Sequence, residues 1–389
     1  MKSNISFQKN LNRAVLFTAL FLCFLASNIN AQKMFELKGK AVGLNNAKIV
    51  LFGIPELRTQ DTLGVSAVKN NKFSFKGKIA NPMMARLFFP ESNRYASFWI
   101  MPGTVEVDLD TAKVSVNYAK ELVPVVRGSS EQLVYDQFYA KTRSLSAVLE
   151  EESKKLKSIT DPEEKKKQEE KVSELREEYT TNSNKFNWEF AKEHNNSFAA
   201  CFILSYAMND YYQPVEKLQS VMNNFSENVK KSLSYKKNLE ELNAMLSIQP
   251  GKTAPEFTAK DPEGKDLSLS SLKGKVVLLD FWASWCIPCV ASIPSMKELY
   301  NAHKEKGFEI LGVSDDSKED AWKKCIQQNS IPWKNVIDRF PIKYRPAEIC
   351  TLYSIHFLPT TILLDKNGII VAKNLHGKEL EEKIKELLK

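Results

Sequence analysis

The chain has 389 residues, enough for two or three domains of about 100–200 residues each. Its formal charge is +8, but basic and acidic residues are interspersed and no aromatic-laced basic stripe occurs, so nothing points to nucleic acid. Six cysteines in so long a chain argue against a disulfide scaffold and for one working pair.

Lys2, Lys9 and Arg13 precede the apolar run 14–26, and Ile29-Asn30-Ala31 offers a small residue for cleavage. Residues 1–31 therefore read as a signal peptide, the apolar run being shorter than the ~17–25 residues of a membrane span. An uncleaved membrane anchor is the weaker alternative. Lipid anchoring at Cys23 is disfavoured because Leu22 stands where a lipoprotein signal needs a small residue. Cleavage removes three basic residues and no acidic one, leaving a formal charge of +5.

Residues 32–128 read as short strands, at 35–41, 48–52, 73–79, 85–89, 97–100 and 104–109, separated by turn signals such as Asn70-Asn71 and Pro102-Gly103. Alternation as in Phe73-Ser74-Phe75-Lys76 suits a sheet with one wet face, so a small β-sandwich or barrel is expected.

Residues 129–247 read as helices. One starts at Ser129-Ser130-Glu131, and another at Thr160-Asp161-Pro162-Glu163 with Asp161 as N-cap and Pro162 at the first helical position. Charges dominate from Glu150 to Glu178, while Val172, Leu175, Tyr179, Phe186 and Phe190 keep a narrow apolar stripe. A long helical hairpin follows from this pattern. Charge runs usually mark a solvated face, so a scaffold is preferred over an arm that docks a partner or forms a homo-oligomer. The segment 247–251 breaks the last helix and reads as a hinge.

In the third region, 251–389, the run Val276-Val277-Leu278-Leu279-Asp280-Phe281-Trp282 reads as a buried strand, followed at once by Trp285-Cys286-Ile287-Pro288-Cys289. Two cysteines three apart at a helix start share one face of the first turn, where free N–H groups and the dipole favour a thiolate. Only the thiolate attacks a disulfide. Half of a zinc site is the competing reading, but no second Cys-x-x-C or His-x-x-x-His completes four ligands, so no metal and no cofactor is expected. A permanent structural disulfide would gain little from so short a loop. Further on, 308–314 reads as a buried parallel strand, 318–328 as a helix and 360–364 with 369–372 as a hairpin turned by Lys366-Asn367-Gly368. Leu380, Ile384, Leu387 and Leu388 make the inner face of a closing helix.

The stretch from Asp280 to Cys289, with Pro294 inside its helix and Leu358-Pro359-Thr360 before a strand, resembles the thioredoxin superfamily, and more narrowly its periplasmic TlpA/ResA-like members. Ala254-Pro255-Glu256-Phe257 and then 267–275 resemble a lead-in shared with peroxiredoxins, which lack this Cys-x-x-C. The 32–128 segment resembles an uncharacterised β domain that precedes thioredoxin modules in some periplasmic proteins. The fold class implied is multidomain: a C-terminal α/β thioredoxin fold in β-α-β-α-β-β-α order, preceded by a small all-β domain and a helical segment.

The resemblance implies a periplasmic thiol–disulfide oxidoreductase that reduces protein disulfides. Cys286 is expected to attack and Cys289 to resolve, closing the redox-active disulfide between them. Asp280 would be a buried carboxylate that takes the Cys289 proton, and Pro359, if cis, a ridge beside Cys286 against which substrate backbone pairs. Trp285 would shape the contact surface. ResA-like proteins often carry a glutamate three residues after the second cysteine; here Ser292 stands there, so Asp280 would act alone. The partners implied are protein disulfide substrates and an upstream membrane or periplasmic electron donor. A disulfide isomerase or oxidase is the alternative enzyme, and a binding protein whose first two domains recognise a partner is the alternative of another class. Cys201 reads as a buried small hydrophobe, and Cys325 and Cys350 as two separate reduced thiols more readily than as a pair. The four histidines, 194, 303, 356 and 376, show no ligand or triad spacing, and His356 fits a loop or core position.

Overall fold

The computed structural model describes residues 32–56, 60–115, 120–208, 214–340 and 347–389. The expected signal peptide lies outside the described residues. Two compact units part within a helix, at Tyr139 and Ala140.

The first unit is a sandwich of two four-stranded sheets. One sheet holds β1 (Lys33–Val42), β4 (Lys72–Ile79), β7 (Gly103–Asp110) and β8 (Val125–Arg127), in the order β4-β1-β7-β8. The other holds β2 (Lys48–Ile54), β3 (Asp61–Ala67), β5 (Met83–Phe89) and β6 (Arg94–Ile100), in the order β3-β2-β5-β6. Alternate residues point inward, as the two-residue period requires. Phe35, Leu37 and Ala41 of β1 and Val105, Val107 and Leu109 of β7 meet Ile49 and Leu51 of β2 and Ala85, Leu87 and Phe89 of β5 in one core. The strand β3 alternates Leu63, Val65 and Ala67 in sequence, but it is an edge strand that buries none of them, and Val65 stays 59% exposed.

Helix α1 (Ser130–Ser158) begins in this unit, where Ser129 Oγ accepts from Gln132 N at 3.2 Å and Gln132 Oε1 accepts from Trp99 N at 2.8 Å. Its first turns therefore close off the end of the sandwich.

In the second unit α2 (Pro162–Glu193) starts on Asp161, whose carboxylate accepts from Glu164 N at 2.8 Å. At this end α1 and α2 are joined by Glu152, which accepts from Gln168 Nε2 at 2.8 Å and pairs with Lys171 at 2.9 Å. Those bonds hold the Glu152 carboxyl down at about 2. Val172 and Phe190 are the buried part of the predicted stripe, while Leu175, Tyr179 and Phe186 are only half-buried. Four further helices follow: α3 (Phe198–Met208), α4 (Val215–Asn224), α5 (Glu227–Lys230) and α6 (Leu233–Ser247). Helix α3 is apolar on nearly every side and buries Cys201, whose thiol burial pushes up to about 12.

After α6 the chain enters a seven-stranded sheet in the order β10-β9-β13-β12-β11-β14-β15. Its strands are β9 (Thr258–Lys260), β10 (Asp266–Ser268), β11 (Val276–Trp282), β12 (Phe308–Ser314), β13 (Lys334–Ile337), β14 (Thr360–Leu364) and β15 (Ile370–Lys373). The central β11 runs parallel to β12 and antiparallel to β14. Helices α7 (Ile287–His303), α8 (Glu319–Gln328) and α10 (Gly377–Leu388) supply Ile293, Trp322, Leu380 and Ile384 to the face that carries Val276, Leu278 and Trp282. The other face carries Val277, Leu279 and Phe281 against Phe257, Leu272 and α9 (Glu348–Leu352). This is a thioredoxin fold covered on both sides.

Two features depart from the sequence expectation. Helix α8 leads into β13, a parallel strand beside β12, so a further strand and α9 separate it from the Pro359 loop. The four-residue β13 was hidden because its buried positions include Asn335, a polar residue that interrupts the apolar run. The expected hinge is also pinned: Gly251 N donates to Ile370 O and Ile370 N to Lys252 O, both at 2.8 Å, and Ile248 packs into the sheet core.

Candidate active site

Cys286 is the N-cap of α7, and Pro288 sits in its first turn, where a missing N–H costs nothing. The cap is unusual in that a sulfur takes the place of an oxygen: Cys286 Sγ accepts from Cys289 N at 3.3 Å. That N–H is among the unpaired donors of the helix start, so negative charge on Cys286 is stabilised where it would develop. Cys286 and Cys289 are joined as a disulfide. The two sulfur-bearing residues differ little in exposure in this oxidised state, 5% against 3%. The asymmetry between them lies instead in the N–H aimed at Cys286.

The peptide Leu358–Pro359 is cis. Leu358 packs against the cluster that contains Cys286, Cys289, Trp282 and Trp322. Around the disulfide the surface is apolar and open, with Trp285 63%, Ile287 84% and Phe357 51% exposed.

Asp280 lies on the central strand opposite Gly312 and Thr361. The two-residue alternation places it on the face of Trp282, whose ring packs with both cysteines. Its carboxyl keeps some accessible edge, but the protein around it is dense, and burial alone raises it from the ordinary 3.8 to about 7. An acid at that value exchanges protons at neutral pH. Ser292 Oγ donates to Cys289 O at 2.8 Å and is thus bound into the helix backbone.

Several residues that hold the site carried no signal in the sequence. Asp316 accepts from Ser284 N at 2.8 Å, from Ser284 Oγ at 2.6 Å and from Ser314 Oγ at 2.8 Å, which ties the loop before Cys286 to the end of β12. Trp282 Nε1 donates to Asn335 Oδ1 at 3.2 Å across Gly312. A Cβ at Gly312 would overlap that amide and come within 2.9 Å of Trp282 Nε1, so the position requires glycine. Glu241 of α6 binds His356 Nε2 at 2.8 Å and also accepts from Ser354 Oγ, bracing the segment that leads to Pro359. His356 is therefore a structural anchor. Cys325 is a reduced thiol in the same cluster as the redox pair, and Cys350 a reduced thiol in the opposite core, so the two do not pair. Among the described residues no cluster of His, Cys, Asp or Glu could hold a metal ion, and no helix is long and apolar enough to cross a membrane.

Residues 250–373 match the AhpC/TSA family, and residues 35–135 match a domain of unknown function, DUF4369. A thiol-disulfide oxidoreductase ResA of Bacillus cereus is 40% identical over 137 residues, which are 35% of this chain and 75% of the relative. The chain belongs to the ResA thiol-disulfide oxidoreductases. A ResA of Geobacillus thermodenitrificans is 36% identical over 142 residues, 36% of this chain and 78% of that one. The thioredoxin domain of a thiol-disulfide oxidoreductase from Bacteroides vulgatus is 37% identical, covering 37% of this chain and all of its own, with a TM-score of 0.34. Membership of the ResA group makes this chain an enzyme of thiol–disulfide exchange, with the thioredoxin fold confined to its C-terminal part. The ResA match spans 35% of the chain, and the DUF4369 match over the β-sandwich names no activity for it.

Proposed function

We propose that the protein is a periplasmic reductant of protein disulfides. The observation that carries this reading is the Cys286–Cys289 disulfide on the first turn of α7, with the Cys289 N–H aimed at Cys286 Sγ. In the reduced enzyme the Cys286 thiolate attacks one sulfur of a substrate disulfide. A Cys286–substrate bond forms, and the second substrate sulfur leaves as a thiolate that takes a proton from solvent. Cys289 then loses its proton to the Asp280 carboxylate and attacks Cys286 Sγ. The substrate's remaining sulfur leaves as a thiolate that takes up the proton held on Asp280 or one from solvent, and the two electrons gained by the two substrate sulfurs are those lost when the enzyme disulfide closes. An upstream dithiol donor in the membrane or periplasm returns the enzyme to its reduced form.

The exposed Trp285 and the backbone beside Pro359 receive the substrate chain in this scheme. The basic start and short apolar run within residues 1–31 support export, with cleavage after Ala31.

Equilibration with glutathione tests the direction. A potential near thioredoxin's ~ −270 mV is expected. A value on the oxidising side of ~ −150 mV would rule out the reductant role and favour an oxidase.

A further inference from the structure

Beside the redox surface, α2 and α4 border an open groove of about 1220 Å³, larger than the ~300–1,000 Å³ of sites for single small molecules. Phe357 lines one part of it. The next residue, Leu358, packs against the Cys286–Cys289 cluster, so the groove reaches to within one residue of a side chain that touches that cluster. Its apolar lining includes Trp188 and Val221. Among the described residues its charged rim is unbalanced, with Arg176, Lys185, Lys192 and Lys217 against Glu177 and Glu189. All four cations are exposed, and Lys217 Nζ lies 5.1 Å from the Trp188 ring centre, placing a cation directly over the aromatic lining.

The length of the groove also carries information. From Arg176 to Lys192 the helix rises about 24 Å at ~1.5 Å per residue, the reach of about seven residues of extended chain at ~3.3 Å each. A groove of this length, with an aromatic lining and a cationic rim, suits an extended peptide that carries carboxylates and a few apolar side chains. A second copy of this chain, itself net positive, is disfavoured by charge.

We propose that the α2–α4 groove seats an extended acidic segment of the disulfide-bearing partner, next to the cysteine that Cys286 attacks. This rests on the reductant reading and adds a substrate class to it. The helical region is then a specificity element: it selects partners by charge before the thiol chemistry begins. Rim charges act mainly on encounter rate and on salt dependence, so the preference should show in the second-order rate constant and fade as salt screens it.

The test uses the full chain, reduced beforehand, and three synthetic peptides of about ten residues. Each carries one cysteine as a mixed disulfide with thionitrobenzoate, whose release is read by absorbance. The flanking residues are Glu and Leu, Gln and Leu, or Lys and Leu. The acidic peptide is expected to react about tenfold faster than the basic one at low salt, with the ratio falling towards one at high salt. The double variant Lys185→Glu, Lys217→Glu should bring the ratio to one or invert it. Lys165→Glu with Lys167→Glu changes the total charge equally on exposed positions outside the groove and should keep the wild-type ratio.

A wild-type ratio near one overturns the proposal, and so does an equal change in both double variants, which would make it an effect of total charge. A wild-type dimer in sedimentation that the Lys185→Glu, Lys217→Glu pair dissociates would assign the groove to a second copy instead. If none of the three peptides reacts, the oxidoreductase reading fails first, an outcome distinct from loss of preference.

Discussion

Glu241, on the last helix before the redox domain, binds His356 Nε2 at 2.8 Å, three residues ahead of Pro359 and its cis peptide. It also accepts from Ser354 Oγ, so one carboxylate fixes two points of the segment that presents Pro359. The helical region is thus tied by hydrogen bonds to the loop that carries Pro359.

Glu241→Ala should release that segment. Both partners are only partly exposed, and a lost hydrogen bond to a charged group costs about 1.5–3 kcal/mol, less where solvent screens it. Hydrogen exchange across 354–360 is expected to speed up, and reduction of a protein disulfide to slow. Unchanged exchange in the variant would show that the loop is held by its own packing.

The cysteines are expected to differ in kind. Cys286→Ser should abolish disulfide reduction, whereas Cys289→Ser should react once and remain as a mixed disulfide. The reason is the helix-start N–H aimed at Cys286 Sγ, which favours the thiolate there. Mass spectrometry with a protein disulfide decides it. Equal adduct formation through either sulfur would overturn the assignment.

Asp280 makes stability depend on pH. Its folded value, about 7, lies above the ordinary 3.8 because burial penalises the charged form. The folded state therefore binds the proton more tightly. Its contribution is fully present below about pH 4 and is lost as pH rises through 7. At ~1.4 kcal/mol per unit the loss is on the order of 4 kcal/mol. Asp280→Asn should unfold at higher denaturant than wild type at pH 8 and show little difference at pH 4. In single turnover the same variant should slow the Cys289 step, towards the low end of the ~10²–10⁴-fold of general-base effects, with the Cys286 attack little changed. If the denaturation midpoints run parallel across pH, the carboxyl does not titrate in this window.

Gly312→Ala inserts a methyl between Asn335 and Trp282. The overlap is with an amide that is itself buried and bonded to Trp282, so it cannot simply rotate away. Overpacking of this kind costs about 1–3 kcal/mol. A lowered urea midpoint, with altered Trp fluorescence, is the expected result. An unchanged midpoint would mean that Asn335 finds another position.

The ends of elements were legible where local chemistry sets them. Asp161 caps α2 as its carboxylate and the following proline predict. The run 276–282 is a buried central strand because nearly every residue in it is apolar. Edge and short strands were harder to read: β3 has Gly64 at its centre and no buried residue, and β9 and β10 are three residues each. Such segments become strands by pairing with a neighbour, and their own residues carry little preference.

The same division holds for chemistry. The spacing of Cys286 and Cys289, the proline between them and the apolar strand before them sufficed to place two neighbouring cysteines on a helix start, where the structure joins them, because every part lies within one turn or one strand. The residues that hold it in place are far apart in the chain. Asp316 reaches Ser284 across 32 residues, and Glu241 reaches His356 across 115. Neither contact leaves a local pattern, since a carboxylate on a loop or a helix face has the same sequence appearance whether it meets water or a partner. Nor does the groove: a charge-rich helix such as α2 reads as solvated until α4 packs beside it and leaves Trp188 and four cations facing one open channel. Which thiols react is a local property of the backbone, while what they meet is set by which distant surfaces the fold brings together.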